Sequence, residues 1–358
     1  MDNVEYKKYL DKIIDMAIKK DASDIHISAN RYPILRVDGR LISITDLPVL
    51  KPEDTKGIAF SILSEVRKDK FLKQKDIDMS LSYEDKARFR VNIYHQLGCI
   101  SIALRLIPNN IRSIKDLFLP DICHQFAKAS QGFLLLVGPS GQGKSTALAA
   151  IIDEINHTRN DHIITIEDPV EYLFKEDKCI IDQREVGEDV KDFHRGLREI
   201  FRQDPDVIMI GEMRDAETIS SAVTAAETGH LVLATLHTNT AAQTVDRIID
   251  SFPPYQQNQI RMQLASSILG IVSRRLVPKK GGGVINAIEI MIANSAIRNL
   301  IREGKIHQIG MVIETSSDEG MLSLNHSLAN LVNKDIVSLD DAKIRSNNVS
   351  ELLMLLEK

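Results

Sequence analysis

A glycine-rich stretch near the middle of the chain has residue types and spacing that suit phosphate binding. It fits the pattern G-x-x-x-x-G-K-[ST] at every fixed position, between an apolar run and a helical pattern. The stretch comprises Gly138, Pro139, Ser140, Gly141, Gln142, Gly143, Lys144, Ser145 and Thr146. In such a loop backbone N–H groups surround phosphate oxygens, the Lys144 ammonium supplies charge, and the Ser145 hydroxyl can bind Mg²⁺. The pattern therefore predicts that the protein binds a nucleoside triphosphate with Mg²⁺.

Two carboxylates follow apolar runs further along the chain. The run 163–166 is followed by Glu167, and the run 207–210 is followed by a glycine and then Glu212. Because the carboxyl ends of parallel strands share the sheet edge at which a phosphate loop lies, we expect both carboxylates near the nucleotide. Hydrolysis needs one carboxylate near Mg²⁺ and one that orients water, so both are candidate catalytic residues. The open alternative is that they cap helices or pair with nearby arginines.

Two histidines bracket the apolar run 231–234. A single histidine at such a place is usually a hydrogen-bonded structural residue. His230 and His237 at the two ends of one predicted strand favour a phosphate or interface role as well. His237 is the stronger candidate, since it follows the strand at the end nearer the expected γ-phosphate, and we count it with Lys144 among the candidate catalytic residues.

The apolar patterns predict an α/β chain with two domains. Up to residue 107, helical spacing at 10–18 and 58–66 accompanies alternating runs, which predicts a small α+β domain with an antiparallel sheet. Within it Asp38-Gly39 predicts a tight turn, and Pro108-Asn109-Asn110 predicts the break after it.

Beyond the break the pattern changes to continuous apolar runs separated by helical stretches, which is typical of parallel strands covered on both faces. We predict a first domain at 1–107, a linker at 108–115 and a nucleotide-binding domain at 116–358. Its last part, from about residue 292, is mostly helical.

Composition excludes several classes of protein. The chain has 358 residues, of which 43% are hydrophobic and 27% charged, with a formal net charge of −5 and 5% aromatic residues. This balance argues against disorder and against nucleic-acid binding by phosphate tracking or base stacking. The three cysteines, Cys99, Cys123 and Cys179, form no C-x-x-C pair, which excludes a cysteine-rich zinc site. A charged N-terminus and the lack of an 18-residue apolar run predict a cytoplasmic protein without a membrane span.

Four segments resemble, in order and spacing, the Walker A, Asp, Walker B and His boxes of the secretion ATPases, the superfamily that drives type II secretion and type IV pili. They are the segments 138–146, 166–171, 211–215 and 228–238. Three further segments, 23–26, 36–39 and 88–92, resemble the N-terminal domain of the pilus-retraction branch. The segment 296–303, Ala-Ile-Arg-Asn-Leu-Ile-Arg-Glu, is similar to the C-terminal motif of that branch.

The resemblance implies a PAS-like N-terminal domain followed by a RecA-like ATPase domain, in a homohexameric ring that hydrolyses ATP. It also implies pilus retraction and twitching motility, with an inner-membrane platform protein and a PilU-like paralogue as partners of a peripheral enzyme at the cytoplasmic face. The accessory retraction paralogue itself remains an alternative. So does a pilus-assembly or type II secretion ATPase, although these usually carry a longer N-terminal region and a tetracysteine zinc insert.

The resemblance also assigns expected roles to residues. Glu167 would polarise the attacking water, and Glu212 would join Ser145 at the Mg²⁺ site. Arginines of the N-terminal domain would reach the nucleotide of a neighbouring subunit, and the candidates are Arg88, Arg90 and Arg105. Each of these arginines could instead be a solvated side chain of an alternating strand. Ser140 and Gln142 depart from the family at variable positions of the loop.

The segment 296–303 contains no helix breaker and follows Ser295, a suitable N-cap residue. We therefore predict a helix with an apolar stripe formed by Ala296, Leu300, Ile297 and Ile301. Arg298 and Arg302 lie four residues apart on another face, and we expect them to contact another element or a partner. The open alternative is an amphipathic surface helix whose arginines are solvated.

Overall fold

The computed structural model of the protein describes residues 2–37, 39–84, 86–107 and 110–357. The chain divides into two compact units. The first runs to Asn110 and also includes Pro169–Leu173, and the second comprises Ile111–Asp168 and the chain from Phe174 onward. The return of 169–173 to the first unit has no counterpart in the sequence patterns.

Some sequence predictions fall on residues outside the described ranges. They are Asp38 of the predicted tight turn, and Pro108 and Asn109 of the predicted break. The bounds 1–107, 108–115 and 116–358 remain a prediction.

The first unit is an antiparallel sheet packed against helices. Its elements are α1 (Asn3–Lys19), β1 (Asp24–Ile27), β2 (Ile34–Val37), β3 (Arg40–Ser43), α2 (Pro52–Ile62), α3 (Glu65–Gln74), β4 (Asp76–Tyr83), β5 (Ala87–Gln96) and β6 (Cys99–Ile107). The strand order is β3-β2-β1-β6-β5-β4. In β5, Phe89, Val91 and Ile93 are buried while Arg90 and Asn92 between them are partly exposed, so the period of two sets the core face.

One predicted helical stretch is in fact two helices. The spacing predicts one helix through 58–66, but α2 ends at Ile62 and Leu63 is extended. The Ser64 hydroxyl accepts a hydrogen bond from the Arg67 backbone N–H at 3.3 Å and caps α3. Val66 is consequently 74% exposed rather than part of an apolar stripe.

The second unit is a sheet with helices on both faces. Its helices are α4 (Ile122–Lys128), α5 (Lys144–Thr158), α6 (Phe193–Ile200), α7 (Ala216–Glu227), α8 (Ala241–Asp250), α9 (Pro254–Ser267), α10 (Ser295–Glu303), α11 (Ile309–Thr315), α12 (Leu324–Asn333), α13 (Leu339–Arg345) and α14 (Val349–Leu356). Its strands are β7 (Gly132–Val137), β8 (His162–Glu167), β9 (Ile180–Glu185), β10 (Val207–Ile210), β11 (Leu231–Leu236), β12 (Ile268–Pro278) and β13 (Val284–Ile292). The order β13-β12-β7-β11-β10-β8-β9 is parallel apart from the antiparallel β12–β13 pair. The predicted α/β class is confirmed.

The continuous apolar runs have a simple cause in this sheet. Along β7, Phe133, Leu135 and Val137 pack with α6 to α9 on one face, while Leu134 and Leu136 pack with α4 and α5 on the other. Every residue of such a strand is therefore buried, and no polar alternation is left. Throughout the described ranges, each helix is too short or too polar to cross a bilayer.

The helix predicted at 296–303 is confirmed as α10, with two differences at its surface. Asn294, not Ser295, is the N-cap, since its side chain accepts from the Ile297 backbone N–H at 3.0 Å. Ile297 and Ile301 are fully buried, whereas Ala296 is exposed, so the apolar stripe is narrower than predicted.

Arg298 of α10 binds the end of α9 in the same chain. Its guanidinium donates to four carbonyl oxygens, those of Ala265 (2.6 Å), Ser266 (2.7 Å), Ile268 (2.7 Å) and Ala293 (2.9 Å). Carbonyls at a helix end lack intrahelical donors, so Arg298 acts as a C-terminal cap for α9. Burial, followed by the charge of Arg302, lowers the pKa of Arg298. Arg302 itself is exposed and bonds to Asn299 at 2.7 Å.

The two arginines should therefore differ sharply in their effect on stability. Arg298→Glu would set a carboxylate against carbonyl oxygens, and we expect it to lower the free energy of unfolding by about 3 kcal/mol or more. Arg302→Glu should change that free energy by no more than about 0.5 kcal/mol. Chemical denaturation of both variants measures the difference, and equal effects would contradict the capping role of Arg298.

Candidate active site

The phosphate loop joins β7 to α5 through a backbone that requires glycine. Gly143 is the N-cap of α5 with φ +73°, and Gly141 has φ +76°. At Gly138, where φ is +145°, a Cβ atom would come within 2.5 Å of the Arg274 carbonyl oxygen. Left-handed φ and a close backbone neighbour each favour glycine. The backbone conformation and the close packing of the loop thus explain why the motif has glycine at positions 138 and 143.

Two contacts from β12 hold the loop against the sheet. The Gln142 side-chain oxygen accepts from the Leu276 backbone N–H at 2.6 Å. The guanidinium of Arg274 donates to the Gly143 carbonyl oxygen and, at 2.6 Å, to the Asn286 side chain. Gln142, expected from the resemblance to stand at a variable position, anchors the loop in this structure. Sequence reasoning missed Arg274, which is 2% exposed, because no motif includes it.

The Lys144 ammonium is enclosed by acceptors. The residue is 8% exposed, and Nζ donates to the carbonyl oxygens of Gly138 (2.8 Å) and Pro139 (3.1 Å). Its third contact is the Nδ1 atom of His237, at 3.0 Å. Because an ammonium can only donate, Nδ1 must accept, and the proton of the neutral imidazole is assigned to Nε2.

His237 connects Lys144 to Glu212. Its Nε2 atom lies 2.9 Å from Oε1 of Glu212, in the direction that the assigned tautomer requires. The other oxygen of Glu212 accepts from Arg214 at 2.9 Å. The ends of β7, β11 and β10 are thus linked by one hydrogen-bonded chain. The sequence left open whether Glu212 pairs with a nearby arginine. In the structure it pairs with Arg214 and also contacts His237.

Glu167, the last residue of β8, is held in a fixed orientation. It is 7% exposed, and its Oε1 atom accepts from the Thr165 hydroxyl at 2.8 Å and from Gln183 Nε2 at 3.2 Å. Sequence reasoning missed both donors. Thr165 could have been found, since it lies two residues before Glu167 and so shares its face of the strand. Gln183 lies on β9, a polar strand with no apolar run to reveal it.

His230 does not share this site. It precedes β11 at the strand's opposite end, where Nδ1 lies 2.9 Å from the Ala225 carbonyl oxygen. Its ring meets that of Phe201 edge-on, with centroids 5.7 Å apart. The hydrogen-bonded structural interpretation of this histidine is the one that the geometry supports.

The three candidate arginines make bonds within the first unit. Arg88 donates to Ser80 (2.7 Å), Ser82 (2.8 Å) and the Val170 carbonyl oxygen (3.1 Å). Arg90 contacts Asp78 at 3.4 Å, and Arg105 contacts Asp24 at 3.0 Å. Arg105 is the most exposed of the three arginines, and 74% of its side chain is accessible to solvent.

Mg²⁺ prefers hard oxygen ligands, and the predicted donors Ser145 and Glu212 supply a hydroxyl and a carboxylate. Ser145 is exposed in the first turn of α5. Among the residues that the structure describes, no cluster of three or more His, Cys, Asp or Glu side chains could hold a metal ion. The hydroxyl of Ser145 and the carboxylate of Glu212 are suitable ligands for Mg²⁺. Further oxygen atoms would have to complete its coordination.

Comparison with known proteins finds relatives over nearly the whole chain. The family model described as "Type II/IV secretion system protein" matches residues 2–310. The type IV pilus retraction ATPase PilT of Pseudomonas aeruginosa is 40% identical over 332 residues, 93% of this chain and 96% of that protein. The type IV pilus ATPase PilU of the same organism is 36% identical over 348 residues, 97% of this chain and 91% of that protein. A crystal structure of the pilus retraction motor PilT with bound ADP has a TM-score of 0.90 at 46% identity, covering 96% of this chain and 98% of that chain. The predicted resemblance is confirmed.

The loop glycines should differ in their tolerance of a side chain. Gly138→Ala forces a Cβ atom against the Arg274 backbone, so we expect ADP to bind at least about tenfold more weakly, or about 1.4 kcal/mol. Gly141→Ala meets no atom within 4 Å and adds only the strain of a left-handed residue, about 1 kcal/mol. Titration with a fluorescent ADP analogue measures both. Stronger weakening by Gly141→Ala would contradict this account.

Proposed function

The chain belongs to the type II/IV secretion system protein family and is an ATPase, and we propose that its ATP hydrolysis powers retraction of a type IV pilus and thereby twitching motility. The observation that carries the proposal is the likeness to a pilus retraction motor over nearly the whole of both chains. The PilU relative is similar over as much of the chain at lower identity, so the retraction motor is favoured over its accessory paralogue.

In this proposal the phosphate loop binds the ATP phosphates. The backbone N–H groups of a loop that begins a helix attract anions, and Lys144 adds a full positive charge. Lys144 now donates to two loop carbonyls and to His237. When ATP binds, phosphate oxygens would replace some of these three acceptors. In this proposal the ammonium would contact the β- and γ-phosphate oxygens.

Glu167 is proposed to orient and polarise the attacking water. The Thr165 and Gln183 donors fix one carboxylate oxygen, so the side chain cannot turn freely. A fixed acceptor holds water in line with the γ-phosphate at little entropic cost. Burial at 7% exposure also keeps bulk water from competing for the carboxylate.

Ser145 and Glu212 are proposed to hold Mg²⁺, which would neutralise the charge of the β- and γ-phosphate oxygens when bound. Arg214 and His237 contact separate oxygens of Glu212 and orient its carboxylate. Such outer contacts commonly set the direction of a metal-binding carboxylate. His237, donating from Nε2 and accepting at Nδ1, would couple the position of Lys144 to that of Glu212.

The working assembly is proposed to be a homohexamer in which an arginine of one subunit reaches the nucleotide of the next. Such an arginine stabilises charge that develops during phosphoryl transfer. Arg105 is the best placed by exposure, while Arg88 and Arg90 remain candidates. The enzyme would work as a peripheral protein at the cytoplasmic face of the inner membrane, where its partners would be a platform protein and a PilU-like paralogue.

Glu167→Gln should separate binding from hydrolysis. The amide keeps the shape of the side chain but not its charge, so we expect ATP to bind while phosphate release falls at least about tenfold, or about 1.4 kcal/mol of transition-state stabilisation. Lys144→Ala is the contrasting variant and should lose nucleotide affinity itself. Phosphate release and ATP-analogue titration measure the two effects. Normal turnover by Glu167→Gln would refute the role of this residue.

Deletion of the gene tests the direction of the motor. We expect cells with abundant surface pili that fail to twitch, because filaments would still assemble but not be withdrawn. Complementation with the natural gene should restore motility, and complementation with Glu167→Gln should not. Bald cells after deletion would assign the protein to pilus assembly instead.

A further inference from the structure

Two buried polar side chains face the same turn from neighbouring strands. Ser273 of β12 and Glu289 of β13 are direct partners in the antiparallel register. They are 1% and 8% exposed. Residues directly opposite in an antiparallel pair point to the same face of the sheet. Neither belongs to any motif that the sequence analysis identified.

Both side chains bind the backbone of the segment between β11 and α8. The Ser273 hydroxyl donates to the Asn239 carbonyl oxygen at 2.9 Å. Glu289 Oε1 accepts from the backbone N–H of Ala241, the first residue of α8, at 2.6 Å. One contact thus uses an acceptor of the turn and the other a donor, two residues apart. Together they fix the turn both in position and in orientation.

The carboxylate of Glu289 sits in an unusual place for an acid. Burial raises its pKa to about 7, although the bond from Ala241 and the charge of Arg275 favour the ionised form. Buried acids are rare unless a specific contact uses them. The specific contact here is the first N–H of a helix, which has no intrahelical acceptor.

The segment so held carries His237. Two threonines of the segment bond to the first turn of α8: Thr238 to the Thr244 hydroxyl at 2.7 Å, and Thr240 accepts from the Gln243 backbone N–H at 3.1 Å. These bonds join the turn to α8. The bonds to Ser273 and Glu289 attach it to the sheet, two to four residues beyond an imidazole that must meet Lys144 and Glu212 at about 3 Å each.

We propose that Ser273 and Glu289 are positioning residues for ATP hydrolysis, which clamp the segment 237–241 so that His237 bridges Lys144 and Glu212. The proposal rests on the part assigned above to His237 in the proposed site. It extends the part of β12 and β13 from holding the phosphate loop, through Arg274 and Leu276, to holding the segment that carries His237.

The test is a double-mutant cycle on kcat in the full-length protein. Glu289→Leu removes the acceptor, and we expect kcat to fall at least about tenfold while the KM for ATP changes less than about threefold. Glu289→Gln keeps an oxygen acceptor and should restore most of kcat. In a His237→Ala background, Glu289→Leu should cost little more, since the group that it positions is already absent.

Ser273→Ala provides the gentler variant if Glu289→Leu fails to fold. It deletes one hydroxyl, should lower kcat about threefold, and should show the same loss of effect in the His237→Ala background. Ser267→Ala is the matched control, because the Ser267 hydroxyl of α9 donates to the Gln263 carbonyl oxygen of the same helix at 2.8 Å. It should leave kcat unchanged.

Three results separate the possibilities. Additive losses in the two backgrounds, or full activity of both clamp variants, would overturn the clamp. Normal kcat in His237→Ala alone would overturn the proposed part of His237, and with it the premise of the clamp. A large single effect that disappears without His237, with Glu289→Gln active, would establish the clamp.

Discussion

The buried ammonium of Lys144 is the constraint on which the site depends. A charge that is only 8% exposed must be surrounded by acceptors, and His237 supplies one of them through a lone pair whose direction is set by Glu212. The contacts from Lys144 to His237 and from His237 to Glu212 require the carboxyl ends of β7, β11 and β10 to lie side by side in a fixed register. Parallel pairing provides this, since Leu236 lies opposite Val137 and Ala234 lies opposite Ile210. The register of the buried strands thus determines where the charge of Lys144 and its partners lie.

Much of the fold could be predicted because the burial of an element determines how its apolar residues are spaced in the sequence. β5 alternates, since one face is wet, and β7 is continuously apolar, since both faces are covered. Where burial did not decide, prediction failed. β9 is largely polar and was not found, and the break between α2 and α3 depends on a serine cap that hydrophobic spacing does not reveal.

The positions of the candidate residues could be predicted where a short motif lies at the end of a strand. The phosphate loop, Glu212 and His237 follow strands, and Glu167 ends one, and those strand ends can be located from sequence. Their supporting groups were not predictable, because Arg274 comes from a strand distant in sequence and Gln183 from a polar strand that no apolar run reveals. Arg298 shows the same limit. Its spacing on α10 indicated a second face, but only the fold shows that this face meets carbonyl groups at the end of α9.

The return of residues 169–173 to the first unit gives the chain an unusual connectivity. The polypeptide passes between the units after Asn110, after Asp168 and after Leu173. The middle crossing is stiff, since Pro169 fixes its own φ and restricts the residue before it. It also lies one residue beyond Glu167. The end of β8 at Glu167 is therefore joined to the part of the chain that belongs to the first unit by one intervening residue, Asp168, and by a backbone with little rotational freedom.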